Sequence, residues 1–401
     1  MKITIDKSNP IGNITAPPSK SYAHRLLICA SLAYGKSVVK NVALSADVKA
    51  TLKCIESLGA SYEICGSEIK VTGCGGKIKK ESVYDCNESG STLRFFIPLA
   101  VICENNALFK GTNRLIERGV GIYEEILPER GVILGKNENG ISVSGRIESG
   151  NYKIRGNVSS QFISGMMFAL PLCDGDSIIE ILPPVESRQY INITLDVLKK
   201  FGIEIKEIEE NKFFVRGKQK YASCDCFVEG DWSNGAFFYA LNALGGNVNI
   251  SGLEKGSLQG DKFCVEAFEK IKNKNEIIDI SNCPDLGPIL FAFASAVGKG
   301  EFVGTKRLAI KESNRALSMA QELEKFGMKV VVEENRVIIE GTLSKPDKIL
   351  NGHNDHRIVM SLSVLLTITG GTIEGIEAVN KSFPDFFEKL SKVGVTVTYG
   401  D

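Results

Sequence analysis

The feature that most constrains the fold of this chain is an internal repeat of about seventy residues. Six apolar helix candidates each begin at a small polar or acidic residue suited to capping: Ser21, Ser91, Ser160, Ser233, Asp285 and Asp355. They run on through stretches such as Leu26-Leu27-Ile28 and Phe95-Phe96-Ile97, and their starts lie 70, 69, 73, 52 and 70 residues apart. Most are followed by an amphipathic helix closed by a hydrophobic-Gly pair and then by strand-like alternation. Leu58-Gly59 precedes Tyr62-Glu63-Ile64, Phe201-Gly202 precedes Ile203-Glu204-Ile205, Phe326-Gly327 precedes Met328-Lys329-Val330, and Val393-Gly394 precedes Val395-Thr396-Val397. Gly131 fills the place between Gly59 and Gly202. Glycine ends a helix well because the left-handed conformation costs it little, and β-branched alternation beyond it reads as paired strands. The fourth copy is degenerate: Asn273-Lys274-Asn275-Glu276 stands where the glycine closure belongs, which accounts for the spacing of 52.

Six such α/β units in 401 residues exceed the roughly 250–300 residues that one core supports, so two domains of three units each are expected. A helix that is apolar on nearly every face, such as Ile289-Leu290-Phe291-Ala292-Phe293-Ala294, must lie inside its domain, which puts the sheets outside. Apolar residues make up 43% and charged residues 24%, the composition of a chain folded throughout. Lys plus Arg (48) equals Asp plus Glu (48), so no global field favours nucleic acid, and anion recognition must come from local clusters. Met1-Lys2-Ile3-Thr4-Ile5-Asp6 alternates like a strand rather than a signal peptide, and no apolar run approaches the roughly 20 residues of a membrane span, so a cytoplasmic location is expected. The eleven cysteines contain no C-x-x-C, and the close pair Cys224 and Cys226 has no second pair at zinc spacing; they are read as reduced packing residues. His353 and His356 could share a helical face, but with no third ligand nearby no metal is expected.

The chemistry collects at the helix starts, where unpaired N–H groups and a partial positive charge await an anion. The first reads Ser19-Lys20-Ser21-Tyr22-Ala23-His24-Arg25, with Arg25 returning to the face of Ser21 four residues on. The second is Glu88-Ser89-Gly90-Ser91-Thr92-Leu93-Arg94, where Gly90 allows close approach to the backbone. Ser159-Ser160-Gln161 and Ser187-Arg188-Gln189-Tyr190 add hydroxyls, an amide and a phenol. The later half supplies Pro284-Asp285, Lys311-Glu312-Ser313-Asn314-Arg315, Asn354-Asp355-His356-Arg357 and Lys381-Ser382-Phe383-Pro384-Asp385. A capped helix with solvated bases would give any one of these. Basic residues oppose the macrodipole at a helix start by a few tenths of a kcal/mol each, so their repeated placement there favours anion binding. If the helix starts of the two domains face each other, their cleft holds Lys20, Arg25, Arg94, Arg118, Lys311, Arg315, Arg357 and Lys381, enough to neutralise two phosphorylated or carboxylated ligands. The few carboxylates among them, chiefly Asp285, Glu312 and Asp355, are candidates for proton transfer.

In order and spacing, Ser19-Lys20-Ser21 with Arg25, Ser89-Gly90-Ser91 with Arg94, Ser159-Ser160-Gln161, Pro284-Asp285, Lys311-Glu312 with Arg315, and Asn354-Asp355-His356-Arg357 together resemble the enolpyruvylshikimate-phosphate synthases along the whole chain. The resemblance implies the enolpyruvyl transferase fold: two similar domains, each of three βαβαββ-type units with buried helices and outer sheets, spanning 1–17 plus 230–401 and 18–229. It implies phosphoenolpyruvate and shikimate 3-phosphate as substrates, no cofactor or metal, a monomer, and a role in aromatic amino-acid biosynthesis. By the same resemblance Ser21 and Arg25 hold the shikimate carboxylate, Ser159, Ser160, Ser187 and Lys311 its 3-phosphate, and Gln161 and Tyr190 its ring. Lys20, Arg118, Arg315, Arg357 and Lys381 grip phosphoenolpyruvate, with Gly90, Arg94 and Gln161 beside it and Lys20 reaching both substrates. Asp285 serves as base for the 5-hydroxyl and Glu312 as acid for the methylene of phosphoenolpyruvate, with Lys20 also counted as catalytic. Gly90 further implies inhibition by glyphosate.

Two departures from the family pattern stand out. Glu88 occupies a place where many relatives carry Asn, and Arg307 one where some carry an Asn that touches the shikimate phosphate. The sister enzyme acting on UDP-N-acetylglucosamine normally carries a loop Cys, absent from Gly111-Thr112-Asn113-Arg114-Leu115-Ile116-Glu117-Arg118. An RNA-end-binding protein of related repeats is disfavoured by the zero net charge and the lack of basic stripes interleaved with aromatics.

Overall fold

The computed structural model describes residues 1–103, 105–273 and 276–400; Lys274 and Asn275 of the degenerate fourth repeat lie outside them. The chain divides into two compact units, Pro18–Glu229 and a discontinuous unit of Met1–Pro17 with Gly230–Asp401. The class is mixed α/β, with several small sheets around buried helices.

In the unit Pro18–Glu229, helices Lys20–Leu32, Gly90–Ala100 and Ser160–Ala169 are buried along almost their whole length. Phe95 and Phe168 meet edge to face at 5.4 Å between them. Fully burying such a side chain stabilises by roughly 1.5–3 kcal/mol, and this is why these helices lack a polar face. Three four-stranded sheets surround them with one pairing scheme. In the middle sheet Ser82–Asp85 pairs parallel with Asn105–Lys110, which pairs antiparallel with Gly140–Gly145, itself in a hairpin with Val132–Asn137. Asn151–Arg155, Ser177–Leu182, Lys212–Val215 and Ile205–Glu209 follow the same order, as do Cys226–Phe227, Lys36–Lys40, Glu68–Thr72 and Ser61–Cys65.

In the discontinuous unit the buried helices are Trp232–Ala243, Gly287–Val297 and His356–Thr369. One sheet repeats the scheme with Ile277–Asp279, Lys299–Val303, Arg336–Gly341 and Met328–Val332. In another, the N-terminal strand Lys2–Ile5 lies between Gly371–Glu374 and Val397–Gly400, with Ile3 opposite both Ile373 and Tyr399. Among the described residues the sheet of the degenerate fourth repeat is two-stranded, Asn247–Ser251 pairing with Ile11–Thr15.

The closing glycines Gly59, Gly131, Gly202, Gly327 and Gly394 all have positive φ, as left-handed helix ends require. The expected caps need correction. Ser19, Ser89 and Ser159, not Ser21, Ser91 and Ser160, hold the N-cap positions, and Asp231 rather than Ser233 caps Trp232–Ala243. Each true cap stands one or two residues earlier because its backbone there is still extended, leaving the later residue inside the first turn. Asp285 sits in a short 3-10 turn, Pro284–Leu286, that leads into Gly287–Val297. Only Asp355 caps where expected, accepting from the Arg357 amide. His353 precedes that helix in the left-handed conformation, so it does not share a helical face with His356.

Candidate active site

The expected site residues fall into two sets, one in each unit. In Pro18–Glu229, Arg25 is 2% exposed, and its guanidinium is built into the protein. Nε donates to Thr194 Oγ1 at 2.8 Å, Nη1 to the Ser21 carbonyl at 2.8 Å, and Nη2 to the Tyr190 carbonyl at 3.1 Å and Ser164 Oγ at 3.4 Å. Phe95 supports its face, 5.1 Å from the ring centroid. Burial lowers its pKa to about 10, so it stays cationic at neutral pH, with one N–H on Nη1 still to offer.

Lys20 Nζ lies 2.8 Å from Asp47 Oδ2, an aspartate that sequence reasoning missed. Asp47 stands in the first turn of Ala46–Leu58, where an acid is ordinary dipole compensation, so nothing in the sequence pointed to Lys20. Behind Lys20 a buried relay runs from His24 Nδ1 to Thr51 Oγ1 (2.7 Å), on to Thr92 Oγ1 (2.8 Å) and to Ser89 Oγ (2.7 Å). Burial, with Lys20 and Arg25 nearby, holds the His24 pKa well below its usual value, so the ring is neutral. The relay ties the starts of helices Lys20–Leu32 and Gly90–Ala100 to each other.

At the second start, Arg94 Nη1 donates to Gln161 Oε1 at 2.6 Å, and Gln161 Nε2 donates to Ser91 Oγ at 2.8 Å, which joins the second and third helix starts. Tyr123 fixes the Arg94 carbonyl with a 2.6 Å hydrogen bond. Gly90 faces Arg118: a Cβ there would stand 3.1 Å from Arg118 Nη2. Ser159 caps the third start by accepting from the Gln161 amide, and Ser160, 4% exposed, follows it. Ser187 is fully buried with φ +56°, a left-handed strain of about 1–3 kcal/mol for a residue with a Cβ, and its carbonyl accepts from the Tyr190 amide.

In the discontinuous unit Arg315 is the hub. Its side chain is 1% exposed and touches three carboxylates: Asp355 through Nε (2.8 Å) and Nη2 (3.3 Å), Asp285 through Nη1 (2.8 Å), and Glu312 through Nη2 (2.7 Å). Lys311 Nζ and Arg357 Nη2 also reach Asp285, at 3.0 and 3.5 Å. Lys381 Nζ donates to the Asn354 carbonyl at 2.6 Å. Burial alone would raise the Asp285 pKa, but Lys311, Arg357 and Arg315 outweigh it and hold the group well below the usual carboxylate range. Lys311 is shifted down, by burial first, against the pull of Asp285. Asp355 is fully buried and supports the hub rather than meeting solvent, whereas Asp285 and Glu312 are each about a fifth to a quarter exposed. Asp261 escaped sequence reasoning altogether. It is buried, accepts from Ser233 Oγ at 2.8 Å, and has its pKa raised to about 6 by burial and by the charge of Asp285. Its place in Leu258-Gln259-Gly260-Asp261 is one where an acid reads as ordinary helix entry.

The arrangement suits chemistry in which protons move next to anions. Two accessible carboxylates share one guanidinium, cations flank them, and a second set of hydroxyls, an amide and bases lies at three helix starts. Among the described residues no group of His, Cys, Asp and Glu is arranged to hold a metal ion, and no helix is long and apolar enough to cross a membrane.

Comparison with known proteins agrees. Residues 5–390 match the family described as EPSP synthase (3-phosphoshikimate 1-carboxyvinyltransferase). A 3-phosphoshikimate 1-carboxyvinyltransferase of Clostridium kluyveri is 37% identical, covering 98% of this chain and 97% of the relative, and that of Clostridium acetobutylicum is 40% identical, covering 97% of each. Among solved structures, an EPSP synthase from Acinetobacter baumannii superposes with a TM-score of 0.81 at 22% identity, covering 99% of this chain and 100% of that one, a likeness of fold.

Proposed function

The chain belongs to the EPSP synthase family, and from that premise we propose how its residues divide the transfer of the enolpyruvyl group of phosphoenolpyruvate to shikimate 3-phosphate. Glu312 gives a proton to the methylene carbon of phosphoenolpyruvate, which leaves C2 cationic. The 5-hydroxyl oxygen of shikimate 3-phosphate bonds to C2 while Asp285 takes its proton. The C2–O bond to phosphate then breaks, the departing phosphate carrying off the proton that Asp285 had taken, and a methyl proton returns to Glu312, which restores the double bond.

Ser21 and Arg25 hold the shikimate carboxylate, Ser159, Ser160, Ser187 and Lys311 the 3-phosphate, and Gln161 and Tyr190 the ring. Lys20, Arg118, Arg315, Arg357 and Lys381 neutralise phosphoenolpyruvate as its charge shifts, with Gly90 and Arg94 beside it. Glyphosate competes with phosphoenolpyruvate there.

The observation that carries this reading is the Arg315 guanidinium, which hydrogen-bonds Asp285 through Nη1 and Glu312 through Nη2 and so fixes the spacing of a base and an acid. Lys311, Arg357 and Arg315 hold Asp285 in its ionised form, the form a base must start from. The test mixes the protein with both substrates, without added metal, and follows phosphate release together with the enolpyruvyl product by NMR. Release that needs both substrates and is lost in Glu312→Gln or Asp285→Ala is expected; turnover that survives both changes overturns the assignment. The eleven free thiols accord with a reducing compartment, and we take the enzyme to work in the cytoplasm as a monomer, which sedimentation at working concentration checks.

A further inference from the structure

Helix Arg315–Glu324 carries a buried acid, Glu322, seven residues beyond Arg315 and thus two turns along the same face. The Glu322 side chain is 2% exposed, yet every polar contact it makes points at one loop and its anchor. Its carboxylate accepts from the Asn351 amide at 2.8 Å and from His353 Nε2 at 2.9 Å. Lys325 Nζ, 2.8 Å away at the C-cap of that helix, reaches on to the Ile349 carbonyl at 3.1 Å. Burial works against the Glu322 charge, but His353, Lys325 and the Asn351 amide more than compensate, so it stays ionised.

The loop it grips turns sharply. His353 and Asn354 are consecutive non-glycine residues with φ +49° and +50°, an uncommon conformation for residues with a Cβ that His and Asn adopt more readily than most and that two in a row need contacts to hold. The next residues are the site. The Asn354 carbonyl receives Lys381 Nζ, and Asp355 accepts from Arg315 and Ser313 and caps the helix that carries Arg357.

We propose that Glu322 is a positioning residue for the phosphoenolpyruvate end of the site. By holding Asn351 and His353 it enforces the left-handed turn and so sets the Asn354 carbonyl, Asp355 and, through them, Lys381, Arg315 and Arg357. The proposal rests on the assignment of those three cations to phosphoenolpyruvate made above.

The test is steady-state kinetics on the full chain, varying each substrate at saturation of the other. Glu322→Ala raises KM for phosphoenolpyruvate about tenfold while KM for shikimate 3-phosphate stays within about twofold, the pattern of lost binding at one substrate. Adding His353→Gly, which takes positive φ without strain, returns KM for phosphoenolpyruvate most of the way. If Glu322→Ala fails to fold, Glu322→Gln reads the same quantity: it keeps the shape but loses the charge, and an increase of a few-fold is expected. A role in stability alone lowers the active fraction and leaves both KM values unchanged; that result, an equal rise in both, or no recovery with His353→Gly overturns the proposal. Lys381→Ala, run alongside, reads the site assignment by itself. Unchanged KM for phosphoenolpyruvate there overturns the role of that lysine, whereas a rise there without one in the Glu322 variants overturns the positioning role.

Discussion

Arg315 and Asp355 form a two-point ion pair with almost no solvent on either side: Nε meets Oδ2 at 2.8 Å and Nη2 meets Oδ1 at 3.3 Å, with the side chains 1% and 0% exposed. Removing one charge from a pair this deep leaves the other uncompensated, which costs more than the pair contributes. Asp355→Asn keeps the shape and the helix cap. It is expected to cost roughly 3 kcal/mol, because Asp285 and Glu312 still compensate Arg315 in part. Urea unfolding reads that loss, and kcat/KM for phosphoenolpyruvate falls with it as the guanidinium, no longer held by the Asp355 charge, shifts toward Asp285 and Glu312.

Gly90 tests the opposite situation, in which stability hardly changes and binding does. A methyl at Gly90 meets the far end of the Arg118 side chain at 3.1 Å, and a flexible guanidinium can yield by a few tenths of an ångström. Gly90→Ala is therefore expected to unfold within about 1 kcal/mol of the parent and to raise KM for phosphoenolpyruvate several-fold with kcat nearly kept. Equal KM values in parent and variant would show that Arg118 does not contact that substrate.

The relay through Thr51 predicts a purely structural loss. Thr51→Val removes the hydroxyl that serves both His24 and Thr92 in a fully buried site, and is expected to cost about 1–3 kcal/mol. Thr51→Ser restores the hydroxyl and most of that stability, and thermal unfolding of the two variants distinguishes the hydrogen bond from the lost volume.

Asp261 gives a pH signature. Its folded pKa is raised from 3.8 to about 6, so between those values the folded chain binds more protons than the unfolded one, and this group's contribution to stability falls as pH rises. The effect is complete above about pH 6 and amounts to roughly 3 kcal/mol at 1.36 kcal/mol per pH unit. Asp261→Asn abolishes it: the stability of the variant relative to the parent climbs from pH 4 to pH 6.5 in urea unfolding and is flat on either side. Asp285 acts in the other direction. Its depressed pKa contributes stability that is fully present above the ordinary carboxylate pKa and disappears as pH falls through its own lower value.

Much of this was legible because it is local. Capped apolar helices, the glycines that close their neighbours, and bases set at helix starts each leave a mark within a few residues, and the two-domain α/β class follows from their repetition. Choosing between two adjacent hydroxyls was not local: Ser19 and Ser21, or Ser89 and Ser91, differ in which backbone is still extended, and that is decided by packing. The carboxylates behind the site were illegible for a different reason. Asp47, Asp261 and Glu322 stand where an acid on an amphipathic helix or at a helix entry is ordinary, and only the fold shows that they turn toward Lys20, Ser233 and His353. The partner of strand Lys2–Ile5 was equally hidden in its own residues, since the pairing joins positions at opposite ends of the chain.

That pairing has a consequence during synthesis. Pro18–Glu229 is contiguous and can close its core as soon as it leaves the ribosome. Lys2–Ile5, made first, must wait for Gly371–Glu374 and Val397–Gly400, which are made last. At about 5–20 residues per second the interval is on the order of 20–80 s. Until those two strands emerge the first has neither of its neighbours, and Ile3 and Ile5, fully buried in the folded unit, have no core to enter. Assembly of the discontinuous unit is therefore staged: its first strand takes its place only after the two strands that flank it, more than 360 residues later, have been made.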